Sequence, residues 1–259
     1  MFGLTTGQLL GLSVLAAVVS TLGSILGTII KEFFLARSLE RWRESRTLLA
    51  VFRKYRDPII LAGDELARRL SDICEDYPPT FLRSEILDVQ QVPFEVNSSE
   101  DPHFLRYRLV STVYRLCAFL GWLELYRQDL TFLDTGHHGA NSRLQGALDL
   151  IRSDLADGQL NEAHDFGAWR DRLIFREEQR AIGEGMITGT VNPRTIIGYK
   201  GFVALFDEAC QADSPDPRLW WLILARNFFL DLEASMDFRK ERLKLMRTHI
   251  PDVVAQLRR

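Results

Sequence analysis

The chain has 259 residues, with 32 Lys and Arg against 35 Asp and Glu, a formal charge of −3 and a pI near 6.0. That balance argues against a broad nucleic-acid surface, though it leaves room for a local basic patch. The three cysteines, Cys74, Cys117 and Cys210, stand apart and form no C-x-x-C pair, which argues against thiolate zinc and iron–sulfur sites, and free thiols in a reducing compartment are expected.

The first element is Leu9–Ile30, which holds no ionisable side chain. At about 1.5 Å per residue such a helix matches the roughly 30 Å hydrocarbon core of a bilayer. A cleaved signal peptide and a buried core helix compete with a retained transmembrane anchor. Met1–Gln8 carry no Lys or Arg and the run is long, which favours the anchor. Lys31, Arg37, Arg41, Arg43 and Arg46 follow the run, so the positive-inside rule puts the C-terminal body in the cytoplasm and the N-terminus outside. The expected location is the inner membrane, with a single pass. Ser13, Ala17, Ser20, Ser24 and Gly27 alternate steps of four and three, which lines small residues along one helical face. That stripe predicts self-association into a homo-oligomer, with a lone anchor or a pore lining as alternatives.

Residues 31–57 read as a juxtamembrane helix that ends at Asp57-Pro58, and 58–259 as a helical domain. Ile59, Ala62, Leu66, Leu70 and Ile73 give the next helix its apolar face. A short helix and an extended loop are expected over 81–96, where Val89–Val96 is the one candidate strand. Asn97–Pro102 is a cap cluster before a long helix over 103–126. Gly136–Gly139 is a loop, and Asn141 caps a helix carrying Leu144, Leu148, Ile151 and Leu155. Asp157–Ala168 is polar and loop-like. Helices follow over 169–187, 196–211, 219–233 and 236–247, with a short tail helix from Pro251. The fold class is all-α: a single N-terminal transmembrane helix followed by a cytoplasmic multi-helix bundle.

The densest polar cluster is Phe175–Glu184. Glu178 and Gln179 fall inside the apolar stripe of Ile174, Phe175, Ile182 and Met186, where a carboxylate requires a partner. Arg176, Arg180 and Glu184 stand four residues apart and are able to pair. The cluster reads as a buried ionic network joining two helices, with a polar ligand site or a solvated face as alternatives. His137 and His138 sit in a Gly-flanked loop and face water more readily than a metal; no metal or cofactor is expected. A protein partner would find its docking point in that loop or in Asp157–Ala168.

Arg242 and His249 lie on one basic helix at a spacing that resembles the R-x4-6-H element of HEPN ribonuclease families. The resemblance implies a catalytic Arg242 and His249 acting on an RNA phosphate, although Leu243 departs from the polar residue usual there. Lys54–Pro58 and Phe175–Glu184 resemble motifs of an uncharacterised bacterial membrane-anchored helical family, which brings no activity with it. The layout is more distantly similar to the HEPN-like membrane accessory protein of type VI CRISPR systems, which implies a ring of subunits altering membrane permeability in antiviral defence. The function expected is a membrane-anchored, self-assembling and non-enzymatic protein, with a tethered ribonuclease or a scaffold as alternatives.

Overall fold

The computed structural model describes residues 6–75, 79–89, 98–131, 139–157, 170, 173–189, 194–211, 216–232 and 238–258. It divides into two compact units, Met1–Ala50 and Val51–Arg259. Helix dominates both, as expected.

Helix α1 runs Thr6–Glu75 and so takes in both the expected anchor and the juxtamembrane segment. Among the described residues, no helix is long and apolar enough to cross a membrane. The transmembrane reading of Leu9–Ile30 is corrected on that finding. Gly, Ser and Thr recur through the run, and the same helix continues into Lys31 and Glu32 without a break. The expected end at Asp57-Pro58 is also corrected, because Pro58 lies inside α1. Proline in a helix interior costs about 3 kcal/mol. Tyr55 and Ile59, on either side of it, are fully buried, and their packing outweighs that cost. Beyond it Leu66, Leu70 and Ile73 bury the predicted face.

Two short 3-10 helices, Thr80–Leu82 and Ser84–Asp88, follow. Helix α2, Pro102–Thr131, starts where Asp101 accepts a hydrogen bond from the His103 amide at 2.9 Å, with Pro102 in its first turn. Its buried residues include Leu109, Val110, Val113, Leu116, Phe119 and Leu123, which lie on more than one side. A helix apolar around much of its circumference belongs at the centre of a domain. Accordingly α2 packs against several of the elements that follow it, helix α4 (Arg176–Gly185) most extensively. Helix α3, Gly139–Ala156, packs instead against the last helix, α7, Phe238–Arg258. Leu144, Leu148, Ile151 and Leu155 form its buried face, as the spacing predicts.

The 169–187 segment is shorter in helix than expected. α4 stops at Gly185, and Ile187–Thr188 (β1) pairs antiparallel with Thr195–Ile196 (β2). Two residues per strand are too few for alternation to be read from sequence. Helix α5 spans Tyr199–Gln211. A 3-10 turn at Pro217–Leu219, capped by Asp216 through the Arg218 amide at 2.8 Å, leads into helix α6, Trp220–Phe229. The expected separate tail helix merges into α7, with Pro251 inside it. Ile250, Val253 and Val254 around that proline are buried, which repeats the solution seen at Pro58.

Candidate functional site

Arg242 and His249 are seven residues apart on α7, so they share the face turned to α3. The structure brings them to one residue, Asp154, that sequence reading did not single out. His249 Nδ1 lies 2.7 Å from Asp154 Oδ2. Arg242 donates to the Asp154 carbonyl at 3.0 Å and to the Asp157 carbonyl at 2.6 Å. Those carbonyls belong to the C-terminal end of α3, where helix geometry leaves acceptors unfilled. Arg242 thus caps one helix from another. It is fully buried, and both terminal nitrogens are engaged with main chain. Burial raises the Asp154 carboxyl above its usual value, opposed by the His249 hydrogen bond and charge. An imidazole oriented by a carboxylate through Nδ1 keeps Nε2 for proton exchange, and His249 is about a quarter exposed. The arrangement suits proton transfer, but its guanidinium is not turned toward solvent to meet a phosphate.

The α4 cluster divides into buried and exposed halves. Glu178 accepts from the Phe175 amide at 2.8 Å, which caps α4, and pairs with Arg170. Gln179 is buried and donates to the Arg152 carbonyl at 2.9 Å and the Ile174 carbonyl at 2.8 Å, tying α4 to α3. Arg176 is exposed and reaches Ser153 Oγ at 3.0 Å. Arg180 and Glu184 are exposed. Gly183 is the point of closest approach to α2. A Cβ there would sit 2.7 Å from Glu124 Cβ and 2.8 Å from the Leu120 carbonyl. The segment joins helices through its buried residues and faces water with its arginines.

A second network centres on Asp129 at the end of α2. Tyr55 donates to Asp129 Oδ2 at 2.6 Å, Lys54 donates to the same atom at 3.1 Å, and Arg194 pairs with Oδ1. Arg194 also donates to Gln128 Oε1 at 2.7 Å, and Gln128 donates to Glu124 Oε1 at 2.9 Å. Burial of Asp129 favours its neutral form, yet the hydrogen bonds from Tyr55, Lys54 and Arg194 prevail and hold its carboxyl below its usual value. Asp129 gave no signal in sequence, because an acid near a helix end is ordinary.

In the Met1–Ala50 unit, Ala17, Ser20, Ser24 and Gly27 are exposed. Of Ser13 only the backbone, helical like its neighbours, is described. Val18, Val19 and Leu22 are 52%, 62% and 55% exposed. A side chain added at Gly23 or Gly27 would meet no atom within 4 Å. The His137–His138 loop and residues 158–168 lie outside the described residues.

Compared with known proteins, the chain matches no family model, no curated protein and no solved structure.

Proposed function

We propose that this is a self-assembling helical protein in which α1 residues of the Met1–Ala50 unit join copies of the chain. The observation that carries the reading is the exposure of Val18, Val19 and Leu22 beside a face of small residues. Fully burying such a side chain stabilises by about 1.5–3 kcal/mol, and half of that area remains open at each. Three per chain give a dimer several kcal/mol before the cost of association. Ala17, Ser20, Ser24 and Gly27 would let two helices approach closely. A permeability role required a membrane span, which the described helices do not supply. Light scattering on the wild type and a Gly27→Leu variant tests the reading. An oligomer that loosens in the variant supports it. A monomer in both, in buffer and in mild detergent, refutes it.

A second reading, a ribonuclease acting through His249, rests on the Asp154–His249 contact of 2.7 Å. Burial of Arg242 counts against it. Cleavage of RNA by the wild type that is unchanged in His249→Ala would remove it.

A further inference from the structure

Three arginines of the Val51–Arg259 unit lie near one another, and the like charges of Arg115 and Arg108 act on Arg69. Arg69 comes from α1, while Arg108 and Arg115 lie seven residues apart on α2 and so share a face. The guanidinium carbon of Arg108 is 4.1 Å from the ring centre of Phe81, and that of Arg69 is 5.5 Å from the same ring. Phe81 is fully buried, so two cations are held against one shared aromatic surface.

Arg69 is 7% exposed. Its polar contacts are long: Ser111 Oγ at 3.4 Å and Asp72 Oδ2 at 3.5 Å. Its Nε is buried without a partner. The other two buried arginines share the unpartnered Nε but are better supplied at their terminal nitrogens. Arg106 has the Leu87 carbonyl at 2.9 Å and the Asp207 carboxylate, and Arg242 has carbonyls at 3.0 and 2.6 Å. Arg115 is half-buried and forms no hydrogen bond or ion pair with any described residue. Asp72 is the carboxylate in contact with Arg69 and is itself half-exposed. Burial first, then the charges of Arg115 and Arg108, lower the Arg69 pKa to about 10 against the pull of Asp72. A buried cation among like charges needs an anion, or it destabilises the fold.

We propose that Arg69, Arg108 and Arg115 form a binding site for a phosphate-type oxyanion. Guanidinium forks match phosphate oxygens in pairs. Arg108 and Arg115 reach solvent and would meet the ligand first, and Arg69 supplies a desolvated charge, where electrostatic attraction is stronger. Inorganic phosphate, a nucleotide phosphate and a phospholipid headgroup share this chemistry. The site is independent of self-association through the Met1–Ala50 unit.

Thermal melting of the full chain in phosphate against chloride, at equal ionic strength and pH, tests it. The same comparison is made with ATP, and flotation is run with vesicles containing phosphatidic acid. Phosphate should raise the melting midpoint by at least about 3 °C over chloride. Arg115→Gln and Arg108→Gln should lose most of that gain, while Arg218→Gln, at an exposed arginine paired with Asp216, should keep it. In chloride, Arg115→Gln should melt no lower than the wild type, because it removes a repulsive charge. A larger gain with ATP assigns a nucleotide, and flotation lost in Arg115→Gln assigns a lipid headgroup. Absence of any response to phosphate, ATP and vesicles overturns the site. So does an equal response in wild type and Arg115→Gln.

Discussion

Replacing Asp129 with Ala removes the acceptor on which three side chains converge. Tyr55 is fully buried and donates to it at 2.6 Å. A hydrogen bond to a charged group contributes about 1.5–3 kcal/mol, and an orphaned buried hydroxyl makes its loss costlier. Lys54 and Arg194 are 37% and 22% exposed, so water can take them up, and each pair adds at most about 1 kcal/mol. Asp129→Ala should therefore cost about 2–4 kcal/mol, and Tyr55→Phe about 1–2. In a domain of this size that is about 2–4 °C of melting midpoint per kcal/mol. Urea unfolding of the wild type, both single variants and the double variant gives the coupling between the two residues. A coupling of about 1–2 kcal/mol is expected. A value below about 0.5 kcal/mol, as for residues that do not interact, would refute the assignment of Asp129 as the pin between α1 and α2.

The same carboxylate predicts a pH dependence. Its pKa is held below the usual carboxylate value, so its contribution is complete at neutral pH and is lost as the pH falls through the folded value. Asp129→Asn should flatten the acid limb of a stability–pH curve, and an unchanged limb would contradict the network. Gly183→Ala puts a methyl against Glu124 Cβ and the Leu120 carbonyl, so it should destabilise by about 1–3 kcal/mol in chemical unfolding. Cys117 is fully buried and its thiol is pushed well above its usual pKa by burial, whereas Cys74 and Cys210 are partly accessible. Alkylation followed by peptide mass analysis should mark Cys210 and Cys74 before Cys117 in the native protein, and early labelling of Cys117 would contradict the core.

Much of the Val51–Arg259 unit was legible in the sequence because its helices carry regular apolar spacing. Ile59, Leu66, Leu70, Leu148 and Ile151 all bury as their periodicity demands. Punctuation was less dependable. Pro58 and Pro251 read as helix boundaries, yet both sit inside helices whose neighbouring side chains are buried. Local propensity is a weak force when packing on either side exceeds it. The two-residue strands at Ile187–Thr188 and Thr195–Ile196 were too short for any pattern. Of the candidate site, the sequence offered only the spacing of Arg242 and His249; the continuous helix α7 is what sets both on one face. Their meeting point, Asp154, lies 88 residues upstream of Arg242, and no local pattern joins residues so far apart. The arginine trio was invisible for the same reason, since Arg69 comes from α1, Arg108 and Arg115 from α2, and the Phe81 ring that Arg69 and Arg108 share from the 3-10 helix between them.

The two motif segments, Lys54–Pro58 and Phe175–Glu184, now have physical explanations that require no ligand. Lys54 and Tyr55 fix α1 to Asp129, and Arg56 donates to the Arg258 carbonyl at 3.3 Å. Glu178 caps α4, Gln179 ties it to α3, and Gly183 lets it approach α2. Residue types that serve such joints are restricted by geometry, so a dense polar motif is not in itself a sign of chemistry.

The mass of the full-length protein in solution, beside a version starting at Arg37, tests self-assembly most directly. A defined oligomer that falls to a monomer when residues 1–36 are removed is the predicted result. A monomer at full length, or an oligomer that survives the truncation unchanged, would contradict assembly through the N-terminal face of α1.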